Sequence, residues 1–228
     1  MITLPFHPDY TILLSTRNEG SITTKEQAEQ LIKAAGCPHP VGFLRLLHGS
    51  QRVHWKKDVT EEKGDAVVTD NPELCLSMVV GDCFPIIMIE PKSHVLTMIH
   101  GGWRSLLQNI IPLTVKELKD FHYKCDPEKL IAWIGPGLHA QSNISTQAPV
   151  QAFFPEWHQF ITESKKGYHV DLSAYAKNSL VQCKMKAENI FDYDKDTYME
   201  KEAFYSHRRS KEQKDEDGRF LVAVWRNK

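Results

Sequence analysis

Between residues 66 and 99 the chain carries four apolar, β-rich runs in close succession, at 66–69, 75–80, 85–89 and 95–99. A strand with one solvated face alternates apolar and polar residues. Runs without that alternation are buried on both faces. Helical patterns surround these runs without a regular strand–helix alternation. The pattern predicts an α+β domain over 1–228 rather than a doubly wound sheet.

The flanking elements follow from local chemistry. Thr23-Thr24 before KEQAEQLIKAAG predicts a capped helix, with Ala28, Leu31, Ile32 and Ala35 on one face and Gly36 as its stop. Short strands are expected at 43–47 and 52–55, with His48-Gly49 between them, then a charged surface loop at 58–65. Segment 103–121 has helical spacing with Pro112 inside it, so a kink or two abutting helices are expected. A strand at 130–134 stops at Gly-Pro-Gly, helices are expected at 149–163 and 171–184, and a charged loop at 210–219 precedes a closing strand at 220–225.

Composition excludes several classes. Hydrophobic residues make up 41% and charged residues 25%, unlike a disordered chain, a collagen or a coiled coil. Lys+Arg is 28 and Asp+Glu is 29, a net charge of -1 that gives no electrostatic case for nucleic acid. No uncharged stretch approaches the ~20 residues that span a bilayer, and no basic region precedes an apolar core at the N-terminus. Five cysteines without a C-x-x-C pair fit free thiols in a reducing compartment, so a cytoplasmic location is expected.

Candidate chemistry collects at strand ends. His100 ends an apolar run and is followed by Gly101-Gly102, Trp103 and Arg104, where a helix begins and an anion is suited. Asp82 and Cys83 sit in a tight turn between two apolar runs. His48-Gly49 ends a third run. One thiolate and two imidazoles are a zinc ligand set with a fourth position for water. Their wide separation in sequence is unlike a zinc finger and suits a catalytic site assembled from separate strands.

Six motifs occur in order: Leu-His-Gly (47–49), Gly-Asp-Ala-Val-Val-Thr-Asp (64–70), Gly-Asp-Cys-Phe-Pro (81–85), His-Gly-Gly-Trp-Arg (100–104), Ile-Gly-Pro-Gly-Leu (134–138) and Phe-Tyr-Ser-His-Arg-Arg (204–209). A Gly-Arg pair at 218–219 precedes the last strand. From about residue 43 onward the series resembles the YfiH or laccase-domain family, also called polyphenol oxidase or peptidoglycan-editing factor. The resemblance implies a three-layer α+β sandwich of mixed sheets flanked by helices, and a zinc site of His48, Cys83 and His100. It also implies cytoplasmic enzymes that phosphorolyse adenosine, inosine, guanosine and methylthioadenosine, and deaminate adenosine. The chain departs from the family pattern at Leu46-Leu47, Asp196 and His207.

Several readings of the residues stand side by side. Eleven scattered histidines without a His-x-His pair argue against a multicopper centre, although copper can replace zinc at a Cys/His₂ set. The H-x-E…P-C-x-x-C signature of zinc deaminases is absent. Asp82 either moves a proton or caps its turn. Arg104 is expected to contact phosphate, and Arg208 and Tyr205 to contact the nucleoside. If 204–209 is extended, one of Arg208 and Arg209 faces away from the site. A metal-free alternative makes Cys83 and His100 a nucleophile–base dyad for hydrolysis of peptidoglycan precursors. A third alternative is a binding module without catalysis.

Overall fold

The computed structural model describes residues 1–57, 61–120 and 123–227. Two six-stranded mixed sheets form its centre. In spatial order, the first holds β1 (Ile2–His7), β2 (Tyr10–Leu14), β15 (Phe220–Arg226), β7 (Cys75–Val80), β3 (Val41–Leu46) and β5 (Glu61–Gly64). The second holds β14 (Ile190–Asp192), β10 (Ile131–Ile134), β8 (Phe84–Glu90), β9 (Val95–Gly101), β6 (Ala66–Thr69) and β4 (Arg52–His54). A small third sheet joins β11 (Ile144–Ser145), β13 (Gly167–Val170) and β12 (Ile161–Ser164).

The two large sheets pack face to face. Ile12, Met78 and Val222 from the first meet Val67, Ile87 and Met98 from the second in one buried cluster. Helix α1 (Lys25–Ala34) covers the outer face of the first sheet through Ala28 and Ile32. Helices α2 (Trp103–Leu107), α3 (Ile110–Lys119) and α4 (Leu172–Gln182) cover the outer face of the second. Both sheets are therefore buried on both faces, as the unalternating runs require. Every residue of β6, β8 and β9 is buried. The α+β class and the flanking helices agree with expectation. With α1 counted, the layers number four rather than three.

Local signals account for several ends. A reciprocal Thr24–Gln27 capping box starts α1. The predicted break in 103–121 falls at Asn109, left-handed at φ 58°, and not at Pro112. Pro112 lies in the first turn of α3, where no intrahelical donor is required.

Three expectations are corrected. Residues 61–64 of the presumed charged loop form β5, an edge strand parallel to β3, while 58–60 lie outside the described residues. Segment 149–163 is not one helix: prolines at 149 and 155 break it into two 3₁₀ turns, and 161–163 belong to β12. The charged stretch at 210–219 begins inside helix α5 (His207–Gln213), which Ser206 caps through the Arg209 amide at 3.1 Å. Arg208 and Arg209 thus sit on a helix.

Gly42 in β3 shows how tightly the strand carrying His48 is held. A Cβ there would stand 2.3 Å from the ring of Trp55, which is fully buried. Gly42→Ala is expected to cost about 1–3 kcal/mol through overpacking. Thermal unfolding followed by circular dichroism should show a melting point several degrees lower.

Candidate active site

Register brings the strand ends together. Strands β8 and β9 are antiparallel with Pro85 opposite His100, so the turn before β8 presents Cys83 beside the end of β9. Strands β3 and β5 are parallel with Leu46 opposite Gly64. From Gly64 the chain passes through Asp65 directly into β6 of the other sheet. The backbone N–H of His100 donates to the Asp65 carbonyl at 2.8 Å. His48, Asp65, Cys83 and His100 therefore meet where the two sheets adjoin.

Asp65 is fully buried. Its Oδ1 accepts from the His48 amide at 2.7 Å and lies 3.0 Å from His100 Nδ1. Its Oδ2 accepts from the Gly49 amide at 2.8 Å. Burial acts to raise its pKa, but the bonds from His100, Gly49 and His48 outweigh it and hold the carboxyl below its usual value. Ser105 Oγ stands 3.4 Å from the same His100 nitrogen.

The other face of the His100 ring system points the opposite way. Nε2 is buried and has no hydrogen-bond partner. A Cβ on Gly102 would lie 3.0 Å from that nitrogen and 3.1 Å from Cys83 Sγ, so only glycine leaves open the space between them. The His48 ring meets the His100 ring edge to face, with centroids 4.9 Å apart. Burial disfavours charge on His100, but the fields of Cys83 and Asp65 outweigh it and push the ring up to about 9. His48 is held below its ordinary value, first by partial desolvation and then by His100, with Arg104 and Arg219 adding to the effect. Among the described residues no group of three or more His, Cys, Asp or Glu side chains is placed to hold a metal ion. The three predicted ligands converge without forming a finished cage.

They lie in a cleft of about 1060 Å³. Arg45, Lys63, Arg104, Arg208 and Arg219 line it, with Asp82 the one acidic residue among the lining side chains. Arg104 lays its guanidinium over the Trp103 ring at 4.3 Å, and no carboxylate among the described residues pairs with it. Helix α2 is only five residues long, so any affinity for an anion here rests on Arg104 more than on the helix end. Arg208 lines the cleft while donating to the Ile144 carbonyl at 2.6 Å and lying 3.3 Å from Asn143 Oδ1.

Other predicted residues fall differently. Tyr205 does not line the cleft: it is buried, with Gly218 against one part of its ring and the Arg17 guanidinium 4.6 Å from its centroid. Stacking on a base is therefore not its role. Arg209, 3% exposed, bonds Asp215 and the carbonyls of Thr197, Tyr198 and Phe204, so it is the structural member of the arginine pair. Asp82, at φ 84°, accepts from the Thr197 hydroxyl at 2.7 Å and the Arg208 amide at 2.6 Å. Asp196 accepts from Gln141, Ser142 and the Tyr198 amide, fixing the loop beside it.

The sequence reading passes over Asp65, Ser105 and Arg219. Asp65 and Arg219 both lie inside quoted motifs, as the second residue of Gly-Asp and of Gly-Arg. The available signal for Asp65 is a carboxylate at the immediate start of a fully apolar run, where burial demands partners.

The family described as multi-copper polyphenol oxidoreductase laccase matches residues 15–227. A purine nucleoside phosphorylase of Xylella fastidiosa is 26% identical, covering 91% of this chain and 80% of that protein. Purine nucleoside phosphorylase YfiH of Escherichia coli is 25% identical, covering 88% of this chain and 80% of the relative. The crystal structure of YlmD from Geobacillus stearothermophilus superposes with a TM-score of 0.83 at 20% identity, covering 98% of this chain and 94% of that one. The hypothetical protein YfiH of Bacillus licheniformis gives a TM-score of 0.79 at 18% identity and 98% coverage of both chains.

Both Asp82 oxygens are engaged, so Asp82→Ala should destabilise the protein by about 1–3 kcal/mol. Asp82→Asn should keep most of the wild-type turnover. A loss of about 100-fold in a variant that melts normally would instead assign Asp82 a proton transfer.

Proposed function

The chain belongs to the multi-copper polyphenol oxidoreductase laccase family, and from that premise we propose that it is a metal-dependent purine nucleoside phosphorylase. One observation carries the reading: the unpartnered His100 Nε2 faces Cys83 on the floor of a cleft walled by cations. The names of the relatives support the substrate class. Adenosine, inosine, guanosine and methylthioadenosine are the nucleosides proposed.

The residues present fit a soft divalent ion. A thiolate and two imidazoles are a zinc donor set, and the orphaned nitrogen and the space above Gly102 accord with it. His48, Cys83 and His100 would hold the ion. When bound, zinc would supply Lewis-acid charge to an oxygen of the reactants, which for adenosine deamination would be that of water. Copper would use the same three residues. Among the described residues His48, His100 and His207 are the only histidines lining the cleft, too few for a type 1 copper and a trinuclear cluster.

In the proposed phosphorolysis, a phosphate oxygen attacks the anomeric carbon of the ribose as the bond to the purine nitrogen breaks. Arg104, which has no carboxylate partner among the described residues, neutralises and orients the phosphate. Arg219 adds positive field at His48 and lines the same cleft. Arg208, braced at Ile144, Asn143 and Glu212, presents its charge to the sugar or base. The apolar surfaces of Leu47, Trp103 and Leu138 in the cleft wall suit the flat purine.

A metal-free reading draws on the same contact. Cys83 and His100 as a thiolate–imidazolium pair would attack a carbonyl, as in cysteine hydrolases. Metal analysis of the purified protein, together with purine release measured with and without phosphate, separates the two.

Cys83→Ser is expected to lose most of its zinc and its turnover, because a hydroxyl poorly replaces a soft thiolate. Chelation should inactivate the wild type and added zinc restore it. Full turnover by metal-free protein, with iodoacetamide labelling of Cys83 abolishing it, would establish the dyad instead. Arg104→Ala should raise the half-saturating phosphate concentration about 10- to 100-fold, the loss of a charge-assisted contact worth about 1.5–3 kcal/mol. Initial rates against phosphate concentration measure this, and an unchanged curve returns Arg104 to a structural role.

A further inference from the structure

We propose that Asp65 is the positioning residue of this site, setting through one carboxylate both the ring of His100 and the backbone of His48. The inference deepens the metal reading given above and rests on it.

Three donors converge on the carboxylate: the amides of His48 and Gly49, and His100 Nδ1. Two of them are consecutive backbone N–H groups, a small anion-binding concavity. His48 takes a left-handed backbone, φ 61°, which costs a non-glycine residue energy and persists where surroundings fix it. Asp65 supplies that fixing, so the direction in which His48 leaves β3 depends on the carboxylate.

For His100 the effect is chemical as well as steric. In the neutral form that metal ligation requires, a ring that donates from Nδ1 to a carboxylate offers the lone pair of Nε2. That nitrogen is the buried, unpartnered one beside Cys83. A carboxylate with a purely structural task would be satisfied by backbone donors. Here one donor is a ring whose opposite nitrogen is aimed into the cleft. Asparagine has the same size but only one acceptor oxygen, and its amide would set a donor against the Gly49 N–H or against His100.

The experiment compares zinc affinity of wild type, Asp65→Asn and Val67→Ala by competition with a chromophoric chelator, on folded protein. Val67 lies two residues on, in β6, and is buried between the sheets, away from the cleft. Asp65→Asn should bind zinc about 10- to 100-fold more weakly, while Val67→Ala should lower the melting temperature and leave affinity unchanged. Wild-type affinity in folded Asp65→Asn, or an equal loss in Val67→Ala, would overturn the proposal. Should Asp65→Asn not fold, long-range ¹H–¹⁵N spectra of zinc-loaded wild type decide: a proton on His100 Nδ1 with Nε2 on the metal supports it, and the reverse overturns it. A wild type that takes up no zinc removes the metal reading itself and this inference with it. That outcome is recognisable because the wild-type reference itself fails, before any variant is compared with it.

Discussion

Between Gly64 and Ala66 the chain leaves one sheet and enters the other, and the cleft is organised around that crossing. A buried crossing has backbone groups to satisfy and no water to satisfy them. Asp65 solves the difficulty with its carbonyl toward the His100 amide and its carboxylate toward the turn after β3. A buried carboxylate is tolerable only when its acceptors are filled. Filling them draws β3, β6 and β9 to one point, which is why residues so distant in sequence share a site.

Charge is distributed unevenly over a nearly neutral chain. The net charge is -1, yet the cleft collects arginines and a lysine and turns its acidic member, Asp82, toward Thr197 and the Arg208 amide. Positive field is thus concentrated where low-dielectric walls make it strongest. Arg209 and Asp215 serve the opposite purpose. Their pair, at 2.7 Å, locks the α5 region that carries Arg208, with Arg17 bracing Asp215 from the N-terminal side at 2.9 Å. The two adjacent arginines differ because helix geometry sends one into the cleft and one into the protein.

The central strands and the three strand-end residues were legible because burial on both faces leaves no alternation, and because histidine or cysteine beside glycine interrupts such a run visibly. The missed parts have physical reasons. Strand β5 reads as Glu-Glu-Lys-Gly, with its charges on a solvated sheet edge, so composition resembles a loop. Helix α5 is short and polar, and its evidence is a Ser206 cap rather than an apolar stripe. Segment 149–163 has apolar residues at helical intervals, but Phe153 is 79% exposed while Trp157 is fully buried, and prolines at 149 and 155 split the two into separate turns, so the interval does not record one helix face. Tyr205 reads as a base contact because an aromatic pair precedes two arginines, and only the fold reveals Arg17 and Gly218 enclosing it. Asp65 was hidden in a dipeptide that ordinarily signals a turn.

Strand β15 lies in the middle of the first sheet, between β2 and β7, although it comes from the far end of the chain. The strands of the second sheet all lie within residues 52–192. During synthesis the second sheet can therefore pair completely while the first still lacks its centre, with β2 and β7 each showing an open edge. Contacts between such distant segments close late. Arg208 and Arg219 follow residue 192 as well, so two of the five cationic residues lining the cleft join His48, Cys83 and His100 after the strands that position those three have been made.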